Sequence, residues 1–88
     1  MKTIIVSVYD SAIQAYARPF QVPTIGAATR SFTDELKRPD SEIAQHPEDY
    51  ALFEIASFTD HDGLMVPTNP PKCLARAHEL LAIANAEK

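Results

Sequence analysis

An α+β domain of order β-α-β-β-α is what this sequence predicts, with helices packed on a short mixed or antiparallel sheet. Three observations predict it. Residues 3–9, TIIVSVY, are β-branched and alternate, as a half-buried strand requires. Residues 24–36 carry an apolar stripe at helical spacing behind a threonine that can cap it. Residues 50–63 run from an apolar stretch into Asp62-Gly63, a hairpin signal. Eighty-eight residues make one domain, 1–88, with limited capacity to bury surface. A second copy would cover apolar area that the chain cannot cover itself, so a homodimer is expected.

In the first strand Ile4, Val6 and Val8 share one face, and Ile5, Ser7 and Tyr9 the other. Asp10-Ser11 ends it as a turn. Two prolines, Pro19 and Pro23, break residues 12–23, so a turn followed by an extended piece is expected there. Thr24 then caps a helix whose inner face is Ile25, Ala28, Phe32 and Leu36. Lys37 and Arg38 fall in its last turn, where positive charge suits the helix dipole, and Pro39 stops it. Asp40 or Ser41 can cap a further helical turn through Ile43, closed by His46-Pro47. Tyr50–Phe58 is apolar on both faces and reads as a strand buried on two sides. Leu64–Val66 returns as a short strand after Gly63. Asn69-Pro70-Pro71 has the form of a helix start, a cap followed by proline in the first turn. The final helix would place Cys73, Leu74, Ala77, Leu80, Leu81 and Ala84 on one side. If the first and second long strands are parallel neighbours, the first helix is their crossover.

Charge is lopsided along the chain. The net charge is −4, yet residues 1–38 carry five basic groups against three acidic ones, whereas residues 39–71 carry seven acids and no base. Such a surface steers partners, unless the acids simply solvate loops. A single cysteine, Cys73, excludes an intramolecular disulfide, and no Cys/His spacing suggests zinc. The N-terminal apolar run ending at Tyr9 is too short for a signal-peptide core or a membrane span, so no membrane partner is expected.

Motifs for catalysis are missing. Asp60-His61-Asp62-Gly63 resembles a cation loop only in part, because an EF-hand needs a closing glutamate where Pro71 stands. There is no GxSxG, HExxH or P-loop, and no cofactor is expected. What remains is basic groups interleaved with rings, a pattern that single-strand binders use for phosphates and bases. Arg18, Arg30, Lys37 and Arg38 are the candidate phosphate contacts, with Tyr9 and Tyr16 as stacking candidates. The competing reading gives Arg30 to an ion pair with Asp34 one turn on. A second functional class uses the acids instead: Glu48, Asp49, Asp60 and Asp62 would dock a basic protein surface.

Three stretches, VYDSAIQAYARPF, GAATRSFTDELKRPD and HPEDYALFEIASFTDHDG, together resemble the small non-structural protein of gokushovirus-type microviruses (Microviridae), tailless phages with single-stranded DNA genomes. The family's pattern is a strand ending in Asp, then Tyr/Phe-x-x-Pro-Phe, an Ala-x-Arg-x-Phe helix, HPEDY-x-L and a final strand-turn. It falls here on Asp10, Tyr16, Pro19, Phe20, Ala28, Arg30, Phe32, His46 to Tyr50, Leu52, Ile55, Phe58 and Gly63. The likeness covers about residues 3–66. Ala12 stands where lysine is expected, Ala56 where glycine is expected, and the aspartate after Phe58 is displaced to Asp60. The resemblance implies a non-enzymatic, non-virion protein of the host cytoplasm that binds DNA, single strands preferred. It would act in viral DNA replication or in the switch to genome packaging. Its further partners would be the phage replication protein or the procapsid.

Overall fold

The strand at the centre of the sheet is the first one in the chain. In the computed structural model, which describes residues 1–86, β1 (Lys2–Asp10) pairs along one edge with β4 (Tyr50–Thr59). Along its other edge it pairs with two short strands, β2 (Ala15–Tyr16) and β3 (Phe20–Val22). The outer strand β5 (Leu64–Arg76) pairs with β4, and every pairing is antiparallel. Helices α1 (Ile25–Leu36), α2 (Glu42–Gln45) and α3 (Ala77–Ala86) complete the α+β domain, with a 3₁₀ turn at Pro47–Asp49 leading into β4. The turn and extended piece expected over residues 12–23 are the β1–β2 turn and the strands β2 and β3.

β1 and β4 are therefore antiparallel, and α1 is not a crossover between them. Because β3 and β4 each run antiparallel to β1, they run the same way as each other, and α1 connects these two across the intervening strand. The connection is a split β-α-β unit. A sequence reading that overlooks the three-residue β3 assigns the helix to the wrong pair of strands.

Helix α1 forms as its spacing demands. The Thr24 hydroxyl accepts a hydrogen bond from the Ala27 amide at 3.0 Å, satisfying one of the donors that a helix start leaves free. Ala28, Phe32 and Leu36 are buried, while Ile25, at the end of the stripe, is 40% exposed. Lys37 and Arg38 lie just past the helix rather than in its last turn. Their amides turn back to the carbonyls of Asp34 and Glu35, tightening the helix end. Ser41, almost fully buried, caps α2 by accepting from the Ala44 amide.

The largest departure is at the C-terminal side. Asn69-Pro70-Pro71 does not begin a helix, and Cys73 and Leu74 lie in β5. The strand continues to Arg76, and α3 begins only at Ala77. Backbone satisfaction explains this. β4 is ten residues long, and its edge away from β1 needs a partner along that length. Residues 72–76 supply the partner, opposite Ala51–Glu54. The prolines are tolerated because residues 68–71 have no register partner, between Pro67 opposite Ala56 and Lys72 opposite Glu54. Of the face expected for the last helix, Ala77 is fully buried and Leu80 packs against the core; the Ala84 side chain lies outside those described.

One face of the sheet carries the helices. Register puts Ile4, Val6, Val8, Leu52 and Ala75 on that face, where they meet Val22, Ala28, Phe32, Leu36 and Ala77. Full burial of a side chain such as Leu52 stabilises by roughly 1.5–3 kcal/mol. β4 is less buried than a strand covered on both sides: none of its residues is exposed, but only Ala51, Leu52 and Ala56 are buried, because the helices cover one face of the sheet alone. Gly63, at φ 72, turns the β4–β5 hairpin in the left-handed region that favours glycine. Leu52→Ala is expected to lower unfolding free energy by about 2–5 kcal/mol. Leu64→Ala, at the exposed hairpin end, should shift it by about 0.5 kcal/mol or less. Urea denaturation followed by circular dichroism compares the two.

Candidate nucleic-acid interface

The other face of the sheet has no helix on it among the described residues. Alternation places Ile5, Ser7 and Tyr9 of β1 there, with Tyr16, Ala51 and Phe53 from the flanking strands. Arg76 joins them, opposite Ala51 on β5. Three rings gather on this face. Tyr9 and Tyr16 have centroids 4.8 Å apart, Tyr16 and Phe53 5.7 Å, and Tyr9 and Phe53 6.1 Å, in tilted and edge-to-face arrangements. Tyr16 and Phe53 come from strands on opposite sides of β1, so both rings lean over the central strand. Ser7 permits this by being small. Its hydroxyl is buried and donates to the Ala17 carbonyl at 2.6 Å.

At one end of this face a cavity of about 190 Å³ opens beside the rings of Tyr9 and Phe53. Glu48, Asp49, Arg76 and His78 line it, and Arg76 and His78 both face the Glu79 carboxylate, at 3.9 and 4.0 Å. The backbone of the 3₁₀ turn is fixed at Asp49. The Asp49 carbonyl accepts from the Ser11 amide at 2.8 Å and from the Ser11 hydroxyl at 3.1 Å, tying the turn to the end of β1. Tyr50 follows, and its hydroxyl is held above the usual tyrosine pKa, chiefly by desolvation and then by the negative charges of Asp10, Glu42 and Asp49.

The sequence candidates separate into groups. Tyr9 and Tyr16 are in the ring cluster, and the exposed Arg18 follows Tyr16 in the connection to β3. Arg30 is exposed on α1, in the layer on the opposite side of the sheet, and no ion pair with Asp34 forms. Lys37 caps the end of the same helix. Arg38 is engaged: its guanidinium donates to Glu35 at 2.9 and 3.2 Å and reaches Asp40 at 3.5 Å, and these partners raise its pKa, Glu35 most. The basic helix end and the stacking pair are thus on different faces.

The acids separate too. Glu48 and Asp49 precede β4, while Asp60 and Asp62 follow it at the hairpin. Asp60 pairs with the amino group of Met1, and the Asp62 carboxylate accepts from the Leu64 amide at 3.1 Å within the turn. Among the described residues no three His, Cys, Asp or Glu side chains are grouped to hold a metal ion, and no helix is long and apolar enough to cross a membrane. Phe53 and Arg76 were not among the sequence candidates. Alternation gives the face of Phe53, but only strand pairing brings it beside Tyr9 and Tyr16, and Arg76 joins because β5 is longer than its sequence suggests.

The molecule is a small α+β domain with a helix layer on one sheet face and an aromatic cluster on the other. The chain belongs to the Phage ORF5 protein family, whose model matches residues 3–80, and is therefore a phage protein. No curated protein and no solved structure matches the chain.

The raised pKa of Tyr50 has a sign that can be tested. A tyrosine whose folded pKa lies above its unfolded value keeps its proton more tightly when folded, so its contribution is intact below the unfolded pKa of about 10 and is lost as pH rises through the folded value. Stability is expected to fall on alkaline titration above about pH 10, and less steeply in Tyr50→Phe. Denaturant midpoints across that range measure the difference.

Proposed function

We propose that this chain is a non-enzymatic accessory protein of a gokushovirus-type single-stranded DNA phage, binding single-stranded DNA across its open sheet face. In this reading it works in the host cytoplasm, in viral DNA replication or in the switch to genome packaging. One observation carries the reading: Tyr9, Tyr16 and Phe53 are gathered on the sheet face that lacks a helix. Bases in a single strand offer their faces for stacking, whereas a duplex hides them, so a single-strand preference follows. Arg76 lies on the same face, and Arg18 leaves the same edge two residues after Tyr16. They replace Arg30, Lys37 and Arg38 as the first phosphate contacts. The net charge of −4 keeps the affinity modest, and the arginine contacts to phosphate make it salt-sensitive.

Fluorescence anisotropy with labelled single- and double-stranded DNA tests this. The single strand should bind more tightly, and each lost phosphate contact should reduce the salt slope by about 0.7. Tyr16→Ala and Phe53→Ala should each weaken binding by about 1–3 kcal/mol. Arg76→Glu should weaken it too, while Arg30→Glu, on the helix side, leaves it unchanged. No binding to either DNA form at low salt would overturn direct contact. The function would then pass to the acidic side chains Glu48 and Asp49, docking a basic surface of the replication protein or procapsid.

A further inference from the structure

We propose that the cavity at the end of the open face reads a guanine base of the bound strand, an inference that rests on the single-strand reading above. The cavity combines three chemistries. Tyr9 and Phe53 offer ring surface, Arg76 a guanidinium only loosely paired with Glu79 at 3.9 Å, and Glu48 and Asp49 acidic side chains. Its volume of about 190 Å³ is below the ~300–1,000 Å³ of sites for drug-sized ligands and suits one planar base.

Charge fixes the orientation of the nucleotide. Phosphate is repelled by Glu48 and Asp49 and attracted by Arg76, whose exposed pairing with Glu79 at 3.9 Å is long enough to be exchanged for phosphate, so the strand's backbone runs on the arginine side and the base edge meets Glu48 and Asp49. An ionised carboxylate only accepts hydrogen bonds, and its two oxygens match two donors set side by side. Guanine alone among the four DNA bases has that pattern on its Watson–Crick edge, the N1–H and the N2 amino group. Adenine and cytosine each place a ring-nitrogen acceptor next to their amino group, and that acceptor would face the second carboxylate oxygen. Thymine flanks its single N3–H with two carbonyls.

Asp49 is the better placed reader. It is half-buried, and its backbone carbonyl is fixed by both Ser11 hydrogen bonds, whereas Glu48 is exposed. A carboxylate held on a pinned backbone reads a base edge with less loss of freedom than one on a mobile chain.

Anisotropy with labelled oligothymidine strands carrying one central dG, dA, dC or dT makes the test, since a single guanine avoids self-structure. The dG strand should bind about tenfold more tightly than the dT strand, with dA and dC well below dG. Asp49→Asn with Glu48→Gln, near-isosteric changes in the lining, should remove the preference and leave dT-strand binding at least as strong as before. Equal binding of all four strands, lost in Tyr16→Ala, would overturn the guanine inference and leave the open-face reading standing. A dG preference that persists in the double variant would overturn the assignment to these carboxylates. No binding of any strand would overturn both readings.

Discussion

Strand β1 is hydrogen-bonded along both edges, to β4 on one side and to β2 and β3 on the other, and the rest of the molecule is arranged around that constraint. A central strand must bury something on each face. Val6 and Ser7 are consecutive and point to opposite faces, and both are fully buried. Val6 is buried by the helix layer. Ser7 lies on the face that lacks a helix, opposite Phe53 and next in line to Tyr9. Its hydroxyl must find a partner, and the Ala17 carbonyl provides one, so the connection between β2 and β3 is fastened to the middle of the sheet. A larger residue at this position would push the rings apart.

The His46-Pro47-Glu48-Asp49-Tyr50 segment shows how architecture and chemistry share one stretch of chain. Pro47 opens a 3₁₀ turn, the Asp49 carbonyl is held by Ser11, and Tyr50 enters β4 opposite Asp10. These contacts set the entry of the strand on which Leu52 and Phe53 face opposite sides. They also place Glu48 and Asp49 in the lining of the cavity. The turn is therefore both the brace of β4 and the source of negative charge at the end of the aromatic face.

In a molecule 44 Å in its longest dimension, the β4–β5 hairpin turns through Gly63. At its end Leu64, Met65 and Val66 are each more than half exposed on the outer strand of the sheet. Outer strands invite unwanted pairing, and proteins blunt them with prolines and irregularities. β5 has both: Pro67, Pro70 and Pro71, and an unpaired segment at residues 68–71. The prolines that resemble a helix start serve instead as interruptions of an edge strand. Local sequence could not separate the two uses, because proline suits the first turn of a helix and the edge of a sheet for the same reason: it has no amide hydrogen to donate.

Sequence alone determined those features that depend on neighbours along the chain. The capped helix α1 with Ala28, Phe32 and Leu36 inward, the alternation of β1, a cap at Asp40 or Ser41 and the Gly63 hairpin are all local periodicities or local hydrogen bonds; the structure chose Ser41. Tyr9 and Tyr16 were legible as stacking candidates for the same reason, each being a ring on an extended segment. Tertiary structure decided whatever required knowing which strand lies beside which. It extended β5 to Arg76, because β4 needed a partner for its free edge. It made α1 a link between β3 and β4, added Phe53 and Arg76 to the aromatic face, and put Arg30 and Lys37 on the other side of the sheet. Alternation says that two residues share a face within one strand, but only the pairing register says which faces of different strands become the same surface.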